Sequence, residues 1–464
     1  LIRREIILPL LLRIMQRRWW GRCRKSVRFA AEQSCNNNMD FFTYKNNRLY
    51  CEGVSLTDIA QQCGTPTYVY SAATFTHHVR RLQEVFAEIN PLICYSVKGC
   101  GNINILRMLA ELGCGFDIVS GGELFRVQRA GGDPHKVVYA GAGKTDAEIR
   151  QAIAAGIGWF NIESEAELEN LIAISAEMKA SPGAALRINP DVDPKTHRFT
   201  TTGKKETKFG VDIERAEQVF ERYGRNGHVR LCGVHLHIGS PVNTTDPYVQ
   251  AITKTLELID RLTAKGFAID TLDIGGGFGA DYTADQAPDF ADYAAAINPL
   301  LKGRSQRIIL EPGRSISANS AILLTRVLYT KKGGEKNFVI IDAGMNDLIR
   351  PAFYGAFHFI WPVSPANGFS ITQRTETPNL PGLQKVDVVG PICESGDFLA
   401  KDRMLPPVQR GDLLAVFTAG AYAFAMSSQY NARPRTPEIL VNGDSFLTIR
   451  RRETYEDLIA PELI

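Results

Sequence analysis

Three features of this chain could take part in chemistry, and each one follows a short apolar segment. The first is Lys98, which closes the apolar run 94–98. A lysine at such a position usually reaches out to solvent, but a desolvated lysine has a lowered pKa and can bond covalently to a carbonyl cofactor. The second is Glu311, followed by Pro312, Gly313 and Arg314. A carboxylate there could hold a pyridine nitrogen in its protonated form, or it could form an ion pair with Arg314.

The third feature is the glycine run Gly275, Gly276 and Gly277. Consecutive glycines let backbone N–H groups approach an anion closely, so this run predicts a phosphate-binding loop. A dinucleotide-binding pattern also fits Gly275, Gly277 and Ala280, but it comes after six strand–helix units instead of opening one. The alternative is a tight turn that binds no ligand.

Two histidines and a cysteine-containing turn complete the set of candidates. His235 and His237 lie on one face of a predicted strand, but the sequence shows no acidic residue at metal-ligand spacing, so no metal is predicted. His237 could stack on a flat cofactor, whereas His235 is interpreted as a packed core residue. Cys393 is followed by Glu394, and it could either deliver a proton or be incidental.

The elements that must position these residues alternate between apolar strands and amphipathic helices. Continuous apolar strands between helices indicate a parallel sheet covered by helices. Eight such units predict a closed (β/α)8 barrel, with an open doubly wound sheet as the competitor. In a barrel, the carboxyl ends of the strands share one rim, and most of the candidates follow strand ends. The predicted strands are 92–98, 115–120, 137–141, 159–164, 184–189, 231–239, 272–277 and 307–313.

Beyond the barrel, short strand-like segments separated by Gly/Pro turns predict a second, mostly antiparallel β-domain. We assign residues 66–315 to the barrel, and both 39–65 and 316–464 to the β-domain, which is thus formed from both chain ends. Within the later part, only 421–430 has a helical pattern.

Composition describes an ordinary globular chain of 464 residues with a net charge of +3. Residues 1–38 carry nine basic and two acidic residues, which leaves a mildly acidic remainder and gives no reason to expect nucleic-acid binding. This leader resembles an organelle transit peptide, but we favour an extension upstream of a natural start at Met39. Nine scattered cysteines favour reduced thiols and a cytoplasmic protein. No apolar run is long enough to cross a membrane.

Several segments, taken together and in order, resemble the alanine-racemase-like decarboxylases that use pyridoxal phosphate. The likeness runs from about residue 42 to the end and is strongest for the diaminopimelate decarboxylase family. Ornithine and arginine decarboxylases share some of these motifs, whereas Cys393–Asp397 (Cys-Glu-Ser-Gly-Asp) and 345–351 with Tyr354 are more specific to the diaminopimelate branch. The segments are 95–98, 116–123, 237–240, 311–314, 393–397 and 430–435.

The resemblance implies a role for each matching residue. Lys98 would bind pyridoxal 5'-phosphate covalently, His237 would stack on its ring, and Glu311 would pair with its nitrogen. The phosphate would be held by Ser240, Gly275, Gly276, Gly277 and Gly313, with Tyr422 close to cofactor and substrate. The substrate's carboxylates would be bound by Arg314, Arg350 and Tyr354, and its distal amino group by Glu394. Cys393 would donate a proton from the partner subunit of a homodimer with shared active sites.

The reaction implied is loss of CO2 from meso-2,6-diaminopimelate to give L-lysine, the last step of lysine biosynthesis. Two departures from the family pattern, Gly99-Cys100-Gly101 and Pro241, lie beside predicted cofactor residues. Three alternatives stay open: a decarboxylase of ornithine, arginine or a carboxylated polyamine, a regulatory homologue without activity, and a racemase. A regulatory homologue would be expected to lose Lys98 or Cys393, and a racemase needs a second base opposite Lys98.

Overall fold

The computed structural model describes residues 40–193, 208–284 and 286–464, so the predicted leader at 1–38 lies outside the described residues. In chain order the strands are β1 (Phe42–Lys45), β2 (Arg48–Cys51), β3 (Val54–Ser55), β4 (Thr67–Ser71), β5 (Leu92–Ser96), β6 (Gly115–Ile118), β7 (Val137–Tyr139), β8 (Trp159–Ile162), β9 (Gly183–Asn189), β10 (Val211–Asp212), β11 (Arg230–Leu236), β12 (Thr271–Asp273), β13 (Arg307–Leu310), β14 (Ala321–Gly333), β15 (Lys336–Ile341), β16 (Ile360–Pro362), β17 (Gln384–Val389), β18 (Phe398–Leu405), β19 (Leu413–Val416), β20 (Glu438–Asn442) and β21 (Ser445–Arg450).

The α-helices of the same residues are α1 (Leu56–Cys63), α2 (Ala72–Val85), α3 (Ile103–Glu111), α4 (Gly121–Ala130), α5 (Asp146–Ala155), α6 (Glu165–Glu177), α7 (Ile213–Tyr223), α8 (Asp246–Ala264), α9 (Phe290–Leu301), α10 (Arg314–Ser317), α11 (Arg350–Tyr354) and α12 (Tyr455–Ile459). Most of the longer helices alternate with barrel strands, as the sequence pattern predicts.

Eight parallel strands close into a barrel. The hydrogen-bonded order is β5, β6, β7, β8, β9, β11, β12 and β13, and β13 pairs with β5 through the Ile309–Leu92 register. All eight predicted strands are present, and the open-sheet alternative is wrong. The strands are buried almost throughout because helices cover their outer side.

Helix starts in the barrel follow from capping side chains. Helix α6 begins after Ser164, whose hydroxyl accepts the backbone N–H of Glu167. Helix α8 is an exception: it begins at Asp246, and the preceding Thr245 makes no side-chain cap. Pro247 occupies the first turn of α8, where its missing N–H costs nothing.

The second domain is built around a mostly antiparallel sheet in the order β18-β17-β15-β14-β4-β20-β21, with β19 linking β14 to β16. Strand β4 comes from the early part of the chain and pairs with both β14 and β20, so segments from both sides of the barrel sequence join in one sheet. Residues 67–71 therefore belong to this sheet, although they fall inside the range assigned to the barrel. Strands β1, β2 and β3 form a separate small sheet.

The helix predicted over 421–430 is wrong. This segment is a succession of turns that contains the 3-10 turn Phe424–Met426 and the start of a second one, Tyr430–Ala432. Tyr422 and the nearby Asn431 have φ angles of 54°, which lie in the left-handed region and cannot continue a right-handed α-helix. The turn instead brings Tyr422 back to the barrel, where its backbone N–H donates to the Gly99 carbonyl at 2.9 Å.

The connection between the two domains places polar residues near the barrel rim. After β13 the chain passes through the short helix α10 and the 3-10 turn Ala318–Ser320 into β14.

Across residues 40–193, 208–284 and 286–464, none of the helices combines the length and the apolar character that crossing a membrane requires.

Candidate active site

Lys98 lies just beyond β5 and is ion-paired with Asp117 of β6. The distance from its Nζ to Asp117 Oδ2 is 2.8 Å, and the hydroxyl of Ser96 donates to the same carboxylate oxygen. Burial alone would lower the pKa of Lys98, but the charges of Asp117, Tyr422 and Glu311 raise it above its ordinary value. The sequence-based idea that desolvation lowers this pKa is therefore wrong for the arrangement seen here. The lysine is held as an ammonium group, and Asp117 is the nearest acceptor for its proton.

Glu311 lies at the end of β13 and is the centre of a buried polar cluster. Its Oε2 is 3.4 Å from His235 Nε2, and its Oε1 accepts the side-chain amide of Asn161 at 3.1 Å. Burial acts to raise the pKa of Glu311, but His235 and Lys98 lower it below its usual range, so the carboxylate is charged. A charged carboxylate at this rim can stabilise a cation placed above it.

His237 and the glycine loop after β12 are in direct contact. The backbone N–H of Gly276 donates to His237 Nδ1 at 3.3 Å, so the ring's other nitrogen carries its proton. Burial, followed by the charge of Arg187, lowers the pKa of His237 well below its ordinary value, which makes the ring neutral. A neutral flat ring suits stacking.

Glycine is required in this loop by close packing of backbone on backbone. A Cβ added at Gly275, Gly276 or Gly277 would lie 2.4, 2.1 or 2.3 Å from a backbone oxygen. Gly275 and Gly277 also have φ angles of 68° and 99°, which favour glycine. The loop therefore lies tightly against the ends of the neighbouring strands, as a cradle for an anion would.

Arg314, a predicted substrate-binding residue, contacts Ser240, a predicted phosphate-binding residue. Its Nε donates to Ser240 Oγ at 3.2 Å, and its Nη1 donates to the hydroxyl of Tyr282 at 2.8 Å. Its guanidinium carbon also lies 5.0 Å from the centre of the Tyr422 ring. Both hydrogen-bond acceptors are hydroxyl oxygens, and no Asp or Glu of the described residues forms an ion pair with this buried cation. Burial acts to raise the pKa of Tyr282, but Arg314 and Arg350 lower it below its ordinary value.

Arg350 lies at the start of α11 and is 6% exposed, so it is a second buried cation like Arg314. Its guanidinium is 5.5 Å from the ring of Tyr282 and 5.8 Å from the ring of Tyr354. Among the described residues, its Nε has no hydrogen-bond partner and no Asp or Glu forms an ion pair with it. Burying a cation without an anion costs free energy, so two such arginines beside one tyrosine indicate a binding site for an anionic group.

Cys393 and Glu394 lie in an exposed turn of the second domain. The backbone N–H of Cys393 donates to Asn431 Oδ1 at 3.0 Å, and Glu394 accepts the hydroxyl of Tyr430 at 3.1 Å. These bonds tie the turn to the segment after Tyr422. Among the hydrogen bonds of the described residues, none joins this turn to Lys98 or Glu311.

The comparisons of this chain with known proteins agree with one another. Residues 72–318 match the family model described as pyridoxal-dependent decarboxylase, pyridoxal binding domain. Diaminopimelate decarboxylase from Pseudomonas aeruginosa is 48% identical over 91% of this chain and 99% of its own length. The enzyme of the same name from Aquifex aeolicus is 45% identical over 91% of this chain and 97% of its own.

This chain belongs to the diaminopimelate decarboxylase family.

Two crystal structures of family members, each described as complexed with L-lysine, share the fold. The one from Helicobacter pylori has a TM-score of 0.82 at 38% identity and covers 88% of this chain and 98% of its own. The one from M. jannaschii has a TM-score of 0.84 at 36% identity and covers 92% and 98%. The (β/α)8 barrel with its antiparallel second domain is therefore the architecture of the diaminopimelate decarboxylase family.

The site fits pyridoxal phosphate, the cofactor of this family. An amine (Lys98), a neutral aromatic ring (His237), a charged carboxylate (Glu311) and a tight glycine loop meet at the carboxyl ends of the barrel strands. These are the groups needed to bind an aldehyde, a ring, a pyridine nitrogen and a phosphate.

Sequence reasoning missed four residues of this site. Asp117 lies within the motif segment 116–123 but was given no role, and Asn161, Asp273 and Tyr282 were not singled out. Asp273 carried a usable signal, because a charged residue between Leu272 and Ile274 interrupts an apolar strand. Tyr282 carried none, since a tyrosine nine residues past the end of β12 has no pattern that predicts contact with two arginines.

Proposed function

We propose that this chain removes CO2 from meso-2,6-diaminopimelate to form L-lysine, with pyridoxal 5'-phosphate as its cofactor. This is the final reaction of lysine biosynthesis. The observation that carries the proposal is the pair of buried arginines, Arg314 and Arg350, which have no carboxylate partner among the described residues. A substrate with a carboxylate at each end would supply the missing negative charge. The names of the relatives support the same substrate.

The residues at the rim have distinct tasks toward the cofactor. When bound, pyridoxal phosphate withdraws the electron pair left on the substrate carbon after CO2 departs. Lys98 would attach it, His237 would pack on its ring, and Glu311 would keep its nitrogen protonated. The phosphate would be held by Ser240, Gly275, Gly276, Gly277 and Gly313, with Tyr422 close to the cofactor.

The substrate is held by charge and shape. Arg314 and Arg350 bind carboxylates, and Tyr354 lies beside Arg350 to limit how the substrate enters. Tyr282 orients both arginines, because it accepts a hydrogen bond from Arg314 and its ring lies under Arg350. A second carboxylate is what separates this substrate from ornithine, arginine and lysine.

The proton that replaces CO2 comes from Cys393, with Glu394 binding the distal amino group, both contributed by the partner subunit of a homodimer. The support is that both lie in an exposed turn, which makes no hydrogen bond to its own Lys98 region within the part of the chain that the structure describes. Exposed apolar side chains at Phe353 and Tyr430 lie in the neighbouring segments, as an interface requires. A thiol donor needs reducing conditions, so we place the protein in the cytoplasm.

The activity is tested by CO2 release from purified protein supplied with pyridoxal phosphate, using meso-diaminopimelate, ornithine and arginine in parallel. Release from diaminopimelate alone, lost in Lys98→Ala, is the expected result. Release from ornithine or arginine would retain the chemistry and refute the substrate. No CO2 release from any of the three substrates, while cofactor is bound, would instead favour a regulatory homologue.

The shared site is tested by mixing two inactive variants, Lys98→Ala and Cys393→Ala. In a mixed dimer one site carries both changes and the other carries neither, so random exchange should restore about a quarter of the activity. No recovery after subunit exchange would place Cys393 in its own subunit's site.

A further inference from the structure

Beneath Lys98, four buried polar side chains form one cluster inside the barrel. Asn161, His235 and Asp273 belong to β8, β11 and β12, and Glu311 follows β13. Each is at most 5% exposed. Potential ligand atoms of His235, Asp273 and Glu311 lie within 4.8 Å of one another. The cluster thus holds two carboxyl groups in a space where water cannot screen them.

Asn161 bridges these two carboxyl groups. Its amide nitrogen is 3.1 Å from Asp273 Oδ2 and 3.1 Å from Glu311 Oε1. The other oxygen of Asp273 accepts the backbone N–H of Gly275 at 2.9 Å. Within the described residues, no lysine or arginine forms an ion pair with either carboxyl group; the only ion pair there joins His235 to Glu311. Two neighbouring buried carboxyls beside a single histidine cannot both be charged, so they share one proton.

The surroundings decide which carboxyl carries that proton. Glu311 faces His235 and the field of Lys98, which together hold its pKa low against the effect of burial. Burial, and then the charge of Glu311, raise the pKa of Asp273 well above its ordinary value. The proton therefore resides on Asp273, whose hydroxyl can donate to Glu311.

A divalent cation is the competing interpretation, since His, Asp and Glu are common ligands. The amide N–H groups of Asn161 point at both carboxyl groups, where a cation would have to bind. A donor aimed at the centre of the cluster favours a shared proton over a metal ion.

We propose that Asp273 is a positioning residue that, as a neutral carboxylic acid, donates a hydrogen bond to Glu311 and anchors the glycine loop through Gly275. It thereby keeps Glu311 charged beneath the cofactor's nitrogen and fixes the start of the phosphate loop, so one side chain serves both ends of the cofactor. The inference rests on the proposed placement of pyridoxal phosphate over Glu311.

The test compares Asp273→Asn, which keeps a donor but can never be charged, with Asp273→Leu, which has a similar shape and no donor. Two readouts are independent of turnover: the dissociation constant of pyridoxal phosphate, and the nitrogen-15 chemical shift of the pyridine nitrogen in holoenzyme prepared with labelled cofactor. Glu438→Gln is the matched control, because Glu438 is a buried carboxyl of β20 outside the site.

Asp273→Asn should bind cofactor within about threefold of the parent and keep the nitrogen protonated, because its amide N–H replaces the donor toward Glu311. Asn161 faces that position with its own NH2 group, so its side-chain amide must rotate to present its oxygen. Asp273→Leu should bind at least about tenfold more weakly, the loss expected for one hydrogen bond to a charged group, and should show an unprotonated nitrogen. Glu438→Gln should change neither readout.

The proposal is overturned if Asp273→Asn loses cofactor affinity or nitrogen protonation, since the charge of Asp273 would then be what matters. It is equally overturned if folded Asp273→Leu matches the parent, or if purified holoenzyme contains a stoichiometric metal ion that Asp273→Asn lacks. Asp273→Asn alone decides the case if Asp273→Leu does not fold. Both readouts remain valid if diaminopimelate proves not to be the substrate, so the two failures are distinguishable.

Discussion

Replacing Arg350 with methionine should abolish efficient use of diaminopimelate without destabilising the protein. Arg350 is buried, and no carboxylate of the described residues pairs with it. Methionine keeps a similar length and apolar stem. The substitution removes a charge whose burial is costly in the absence of substrate, and that charge is the one the substrate's carboxylate would neutralise.

The expected effect of Arg350→Met differs between the substrate-bound and the substrate-free protein. Loss of one partner from a buried charge pair costs about 3–5 kcal/mol, so kcat/KM for diaminopimelate should fall by roughly 150- to 4,000-fold. Without substrate there is no pair to break, so the unfolding free energy should stay within about 1 kcal/mol of the parent or rise.

The assay combines CO2 release with thermal unfolding of the substrate-free protein. Arg187→Met is the matched control, because Arg187 is equally buried but is paired with Glu163 at 2.8 Å. Its removal leaves Glu163 uncompensated and should lower the unfolding temperature clearly. The reasoning is refuted if Arg350→Met destabilises as much as Arg187→Met while its kcat/KM is unchanged.

Three further predictions concern other residues of the site. Tyr282→Phe removes the hydroxyl that accepts from Arg314, so KM for diaminopimelate should rise about tenfold with little change in kcat; an unchanged KM would contradict the role of Tyr282. Asp117→Asn removes the anion that raises the pKa of Lys98, so the lysine of cofactor-free protein should react with an amine reagent at lower pH than in the parent; an unshifted reactivity profile would exclude that ion pair. The third prediction concerns Glu123 of α4, whose pKa is raised from 4.5 to about 7, mainly by burial. Because the folded state holds this proton more tightly than the unfolded state, the free energy of unfolding should decline as pH rises across that window. Glu123→Gln should reduce the decline in a pH series of urea unfolding. An identical pH series for Glu123→Gln and parent would refute this.

The barrel could be predicted from sequence because its signals are local. Buried parallel strands appear as continuous apolar runs, and helices show three- and four-residue spacing, so all eight strands were placed correctly. Left-handed backbone at Tyr422 has no such signal, since non-glycine residues seldom adopt it. That is why the turn after Gly420 was interpreted as a helix.

Contacts inside the site depend on strand order, which local patterns do not contain. Asp117 meets Lys98 because β5 and β6 pair in the Ser96–Asp117 register. His235 gains its acidic neighbours only when β11, β12 and β13 stand side by side. The sequence therefore indicates Lys98, His237 and Glu311 as site residues by type and position. It does not predict the neighbouring residues that determine their protonation states.

The most direct test of the two-carboxylate site compares meso-diaminopimelate with L-lysine, which differs from it by one carboxyl group. Purified holoenzyme should release one CO2 and form one lysine for each diaminopimelate consumed, and should form no cadaverine from added lysine. Comparable CO2 release from lysine would show that Arg314 and Arg350 do not select a second carboxylate, and the account of this site would be wrong.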